Sequence, residues 1–95
     1  MAAYMIADYL EEIDADGIAE YRNAARDIIA AHGGKVIAAG PGKAIEGDWV
    51  PTRMVIIEFE SMEELRGWYD SPEYQAVAAI RHRSARENLI FVDGL

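Results

Sequence analysis

A chain of 95 residues with 17 acidic and 9 basic side chains carries a formal net charge of −8, which opposes the phosphate backbone of nucleic acids and the anionic leaflet of a membrane and excludes both as expected partners. With no cysteine it has neither a disulfide framework nor thiolate chemistry, and a reducing cytoplasm is the expected compartment. At 52% hydrophobic and 27% charged residues it reads as one globular domain over residues 1–95, small enough that a partner subunit would add to its stability.

The opening MAAYMIADYLEE is too short and too interrupted by Asp8 and Glu11 to be a signal peptide or a membrane span. Residues 4–10 within it are β-rich in type and predict a strand, ended by the acidic turn EEIDADG, where Asp14 or Asp16 is placed to cap a helix. That helix runs to about His32. Ile18, Tyr21, Ala25, Ile28 and Ile29 recur along it as one apolar stripe, and Gly33-Gly34 supply a left-handed stop. His32 suits the last turn as a cap favoured by the helix dipole, with a place in a ligand cleft as the alternative.

KVIAAG predicts a second strand. The loop PGKAIEGDWVP follows, barred from regular structure by its glycines and prolines and placed to fold over a pocket as a lid. TRMVIIEF predicts a third strand. Ser61 with Glu64 forms a capping box for a helix over MEELRGWYD, and Ser71-Pro72 restart a helix after a bend. NLIFVDG closes the chain as a fourth strand.

The order β-α-β-β-α-β predicts an α+β, ferredoxin-like fold: a four-stranded antiparallel sheet with the helices on one face. In the third strand Met54 and Ile56 point one way while Val55, Ile57 and Phe59 point the other, so both faces of the sheet are apolar. Helices cover only one of them. The other predicts a second copy, a homodimer with its sheets face to face.

At 100° per residue, Tyr74, Val77 and Ile80 share an arc of the last helix with Arg81 near its centre, while His82, Arg83 and Arg86 fall outside it and read as a solvated face. A part-buried guanidinium needs a carboxylate, backbone carbonyls or an anionic ligand. Asp8 and Glu58, each inside an apolar strand, are the expected partners, and Asp8, Glu58 and Arg81 form a candidate site able to bind a small polar molecule and move a proton. A structural tie between helix and sheet is the alternative. Trp68, Tyr69 and Tyr74, gathered where the helix breaks, are candidate pocket walls, or core anchors.

Several sharper motifs fail. Two histidines fifty residues apart make no zinc spacing, GPGKA lacks the first glycine and the hydroxyl of a phosphate loop, the third strand lacks the aromatics of an RNA-binding sheet, and no G-x-S-x-G is present. No metal and no cofactor is expected.

Read together, HGGKVIAAG, EGDWVPTRMVIIEFESMEELRGWYDSPEYQ and FVDG resemble the small bacterial family known as domain of unknown function 1330, over nearly the whole chain. The resemblance implies a dimeric α+β barrel, similar to a superfamily of cofactor-free monooxygenases, small isomerases and haem-dependent relatives, without implying a common activity. Its motif positions fall on His32, Gly33, Gly34, Glu46, Gly47, Arg53, Glu58, Trp68, Tyr69, Ser71 and Tyr74. Arg53 and His32 thereby join Arg81 as candidate binding residues.

The expected function is binding of a small organic molecule, anionic or aromatic, between sheet and helices, extended in one version to cofactor-independent catalysis with Glu58 or Asp8 as base. The alternatives are a non-catalytic sensor module and a purely structural dimer.

Overall fold

Alternation sets the first strand: Ala3, Met5, Ala7 and Tyr9 are buried on one side, and Tyr4, Ile6 and Asp8 stand on the other. The computed structural model describes residues 1–95 as β1 (Ala3–Glu12), α1 (Ala15–Ala31), β2 (Lys35–Gly40), β3 (Arg53–Phe59), α2 (Met62–Tyr69), α3 (Pro72–Ser84) and β4 (Ala85–Asp93). The four strands form one antiparallel sheet in the order β2-β3-β1-β4, so the two apolar strands β1 and β3 lie side by side at its centre. This is the predicted ferredoxin-like arrangement, with the second helical segment broken into α2 and α3.

The caps are those the sequence specifies. Asp14 accepts a hydrogen bond from the Asp16 amide, Ser61 from the Glu64 amide and Ser71 from the Tyr74 amide, with Pro72 in the first turn of α3. His32 closes α1, followed by Gly33 at φ 82°, a conformation that costs a side-chain-bearing residue more than glycine.

The core lies between the helices and the sheet face that carries Met5, Ile57 and Phe59. Trp68, wholly buried, stacks on Phe59 and Tyr74 with centroids 5.3 and 4.2 Å away, and Leu65 is buried with it. Side chains of this size contribute about 1.5–3 kcal/mol each on burial, so this side of the helical layer is its most strongly held. At the other end, α1 meets the last turn of α3 at Gly17. A methyl group there would come 2.9 Å from the Ser84 Cβ, and Ser84 has no exposed surface into which to move. Gly17→Ala is therefore expected to cost about 1–3 kcal/mol, read as a lower urea midpoint with an unchanged slope.

Two features differ from the sequence reading. β4 begins at Ala85, directly after α3 and ahead of NLIFVDG, because β1 runs on to Glu12 past a bulge at Tyr9–Glu11 and offers Glu11 and Glu12 as partners to Arg86 and Ala85. The loop between β2 and β3 is not a lid over the helix-facing side. Its Trp49 donates from Nε1 to Asp8 Oδ2 at 2.9 Å, on the opposite face of the sheet.

That opposite face carries no helix. Ile56, Ile6 and Ile90 are cross-strand partners there, one row spanning β3, β1 and β4, with Val92 and Met54 on the same side. Ile90 is 57% exposed. No helix of the protein is long and apolar enough to cross a membrane.

Candidate functional site

The early start of β4 decides the polar chemistry of the helix-facing side. Counting by twos from Phe91 and Leu89 puts Glu87 on that face, directly across from Tyr9 of β1, which in turn faces Arg53 of β3. Arg53, Tyr9 and Glu87 thus form a row across three strands. Arg81, one turn before the end of α3, descends on this row and is only 2% exposed.

Three side chains surround the Arg81 guanidinium. Its Nε lies 2.5 Å from Glu87 Oε1, a charge contact in which the N–H is not aimed at the oxygen, Nη1 donates to the Tyr74 hydroxyl at 2.8 Å, and Nη2 meets His82 Nε2 at 3.1 Å. The Tyr74 hydroxyl shares a further hydrogen bond of 2.7 Å with Tyr21, and the guanidinium lies 5.4 Å from the Tyr21 ring centre. The result is a buried chain, Glu87–Arg81–Tyr74–Tyr21, running from β4 through α3 to α1.

Burial sets the protonation states along it. It raises the phenol pKa values of Tyr9, Tyr21 and Tyr74, so all three are neutral hydroxyls at ordinary pH. It also raises Glu87 above the usual carboxylate range, with Arg81 pulling the other way. For Arg81 itself, burial works against the charge, and the surrounding phenols and Glu87 more than offset it. Burial and then the Arg81 charge lower His82, which leaves its ring neutral and able to accept from the guanidinium.

Beside this chain, between α1 and the sheet, is a cavity of about 380 Å³, within the range of small-molecule sites. Met5, Ala7, Val55 and Ile57 are its floor, and Ile18, Ala25 and Ile29 of α1 its roof. Its polar lining is Tyr9, Tyr21 and four arginines, Arg22, Arg26, Arg53 and Arg81. Four of the nine basic residues of the chain therefore meet at one cavity, and none of the 17 acidic residues lines it. In a chain of net charge −8 this is a local reversal of sign over an apolar interior.

Of the residues singled out from the sequence, Arg81 and Arg53 reach this cavity. Asp8 and Glu58 do not meet Arg81, because their even-numbered register puts both on the outer face. There Asp8 accepts from Trp49, and Glu58 stands beside Tyr4 and raises the phenol pKa. The expected constellation of Asp8, Glu58 and Arg81 is thus replaced by Glu87 with Arg81.

Trp68, Tyr69 and Tyr74 are packed in the core beneath α2 and α3 and do not line the cavity, although Tyr74 reaches it indirectly through Tyr21. His32 lies outside it too, 3.2 Å from Glu73, as an interhelical contact. Arg22 and Arg26 were not singled out from the sequence, although at 100° per residue Arg22 lies about 20° from Ile29 at the edge of the apolar stripe, which was the available signal. No group of three or more His, Asp or Glu side chains is placed to hold a metal ion.

The backbone matches solved structures of low sequence identity. A protein of unknown function from Rhodopseudomonas palustris gives a TM-score of 0.79 at 19% identity, with 99% of this chain and 82% of that one covered. A dimeric ferredoxin-like protein of unknown function from Thermobifida fusca gives 0.65 at 18%, covering 97% and 90%. A protein from Caulobacter crescentus described as a candidate antibiotic biosynthesis monooxygenase gives 0.60 at 13%, covering 99% and 90%. These likenesses establish the ferredoxin-like fold and leave function to the site. No curated protein matches the sequence. The glycine stop after α1, the E-F-x-S entry to α2 and the W-Y-x-S break before α3 are part of one continuous match over residues 2–95, by which the chain belongs to the DUF1330 family, a domain of unknown function.

Proposed function

We propose that this protein is a homodimer in which each chain binds a small amphipathic anion, an acidic head on an aromatic or aliphatic body, in the cavity between α1 and the sheet. The observation that carries the reading is the lining: an apolar floor and roof, four arginines and no carboxylate. A hydrocarbon body would displace water from the apolar walls, and guanidinium groups hold acidic heads through paired, charge-assisted hydrogen bonds.

The dimer reading rests on the uncovered outer face and on surface area. A folded monomer of this mass exposes about 5,400 Å² by the usual scaling, whereas this chain exposes 5996 Å². Relatives described as dimeric, such as that from Thermobifida fusca, agree with it.

Titration of the isotope-labelled protein with phenylacetate, followed by amide NMR, tests the site. Shifts centred on Ala25, Val36 and Val55, which line the cavity, are expected, with Ile90 and Val92 on the outer face unmoved. No shifts, or shifts confined to the outer face, would remove the reading. Cofactor-independent catalysis is the second reading, favoured by one observation: the neutral Tyr21 hydroxyl, held by Tyr74, stands at the cavity wall as a proton donor. It predicts turnover that Tyr21→Phe abolishes while the NMR shifts persist.

A further inference from the structure

Within the cavity the four arginines are not equivalent. Arg81 has its charge met by Glu87 and its two Nη groups turned to Tyr74 and His82. Arg22, Arg26 and Arg53 have no such partner. The salt bridges of the chain are His32–Glu73, Arg81–Glu87 and Arg86–Glu11, so no carboxylate comes within 4.0 Å of any of these three guanidinium groups. Arg22 and Arg26 are exposed and Arg53 is half-buried, and with no acidic residue in the lining the three leave positive charge at the cavity that the protein does not balance.

Their positions reinforce this. Arg22 and Arg26 are four apart on α1 and so project from successive turns of the same helix face, a like-charge spacing that weakens a helix. Arg53 comes from the sheet below, where Tyr9 is its cross-strand neighbour and its charge opposes the rise in the Tyr9 pKa. Roof and floor of the cavity thus each supply cations to it, while Ile29 and Ile57 are part of its apolar lining. One carboxylate would balance one of these charges and leave two unbalanced.

We propose that the ligand carries a dianionic head, such as a phosphate monoester or a dicarboxylate, held by Arg53, Arg22 and Arg26, with its apolar body directed inward. Arg81 is then a positioning residue, fixing Tyr21 at the cavity wall through Tyr74, and is not the anion clamp. The inference rests on the cavity being the ligand site, and its test separates the two. Calorimetric titration at pH 8 compares 1-hexanol, hexanoate and hexyl phosphate, which share one tail and bear head charges of zero, minus one and about minus two.

The expected affinities rise in that order, by roughly tenfold for each charge added. In Arg53→Gln, and in Arg22→Gln with Arg26→Gln, hexyl phosphate is expected to fall to the level of hexanoate while hexanol is unchanged. Equal affinity for hexyl phosphate and hexanoate overturns the dianionic head and leaves the cavity reading standing. Preference for phosphate that survives in these variants overturns the assignment to the three arginines. Binding of none of the three compounds removes the cavity reading and this inference with it.

Discussion

Arg81→Met is expected to destabilise the domain by about 3–5 kcal/mol, because it leaves Glu87 as a buried carboxylate with no counter-charge and removes the donor that holds Tyr74. For a chain of this length each kcal/mol lowers the melting temperature by roughly 4–8 °C, so the loss is large by any denaturation assay. Both partners are almost fully enclosed, with side chains 3% and 8% exposed, which separates this pair from the solvent-screened contact of Arg86 with Glu11. Adding Glu87→Leu to Arg81→Met is expected to recover most of the stability, since an apolar replacement of both partners leaves no charge to desolvate.

If the double variant is as unstable as the single one, Arg81 acts through Tyr74 and Tyr21 and the ion pair is incidental. A pH series gives a second reading. In Arg81→Met the folded-state pKa of Glu87, already raised from 4.5 by burial, rises further because the opposing charge has gone. A carboxylate whose folded pKa is raised contributes stability below its unfolded pKa and loses it as pH climbs through the folded value. The deficit of Arg81→Met relative to wild type is therefore smallest below pH 4.5 and widens as pH rises above it.

The sequence placed Arg81 correctly and its partner wrongly, and the reason is geometric. Helical periodicity alone buries Arg81 with Tyr74, and both are buried in the fold. Choosing among carboxylates requires knowing which parity of each strand faces the helices. In β1 and β3 both parities are apolar, so Asp8 and Glu58 carried no mark of facing outward. Glu87 was hidden because ARE reads as the tail of a helix that already contains RHRS. Its pairing with Tyr9, and that of Arg86 with Glu11 across the β1 bulge, make the segment strand. Its period-two relation to Leu89 and Phe91 was the available signal. The cavity is a product of tertiary placement: Arg22 and Arg26 flank the apolar stripe of α1, and only the fold brings Arg53 of β3 to the same cavity. The caps, the glycine stop and the element order depend on local chemistry and were legible for that reason.

Ile90→Glu is expected to convert a dimer to a monomer at tens of micromolar protein, measured by sedimentation equilibrium, with the wild type at twice the chain mass. Ile90 stands in the row with Ile6 and Ile56 on the uncovered face, and at 57% exposure it tolerates a charge within a single chain. A two-fold interface uses the same patch twice, so one substitution places two carboxylates in an apolar interface. That penalty falls on association and spares the fold, so the melting transition of the dilute monomer remains cooperative. A wild type that sediments as a monomer at 100 µM, on the order of the concentrations that populate weak dimers, would assign the Ile56–Ile6–Ile90 row to some other partner. The cavity provides the internal control. It opens on the helix side of the sheet, away from Ile90, but its floor is made by β1 and β3, the strands a second copy would cover. Ile90→Glu is accordingly expected to retain ligand binding with a modestly weaker affinity, because covering the outer face stiffens the strands on which Tyr9, Arg53 and Ile57 are held.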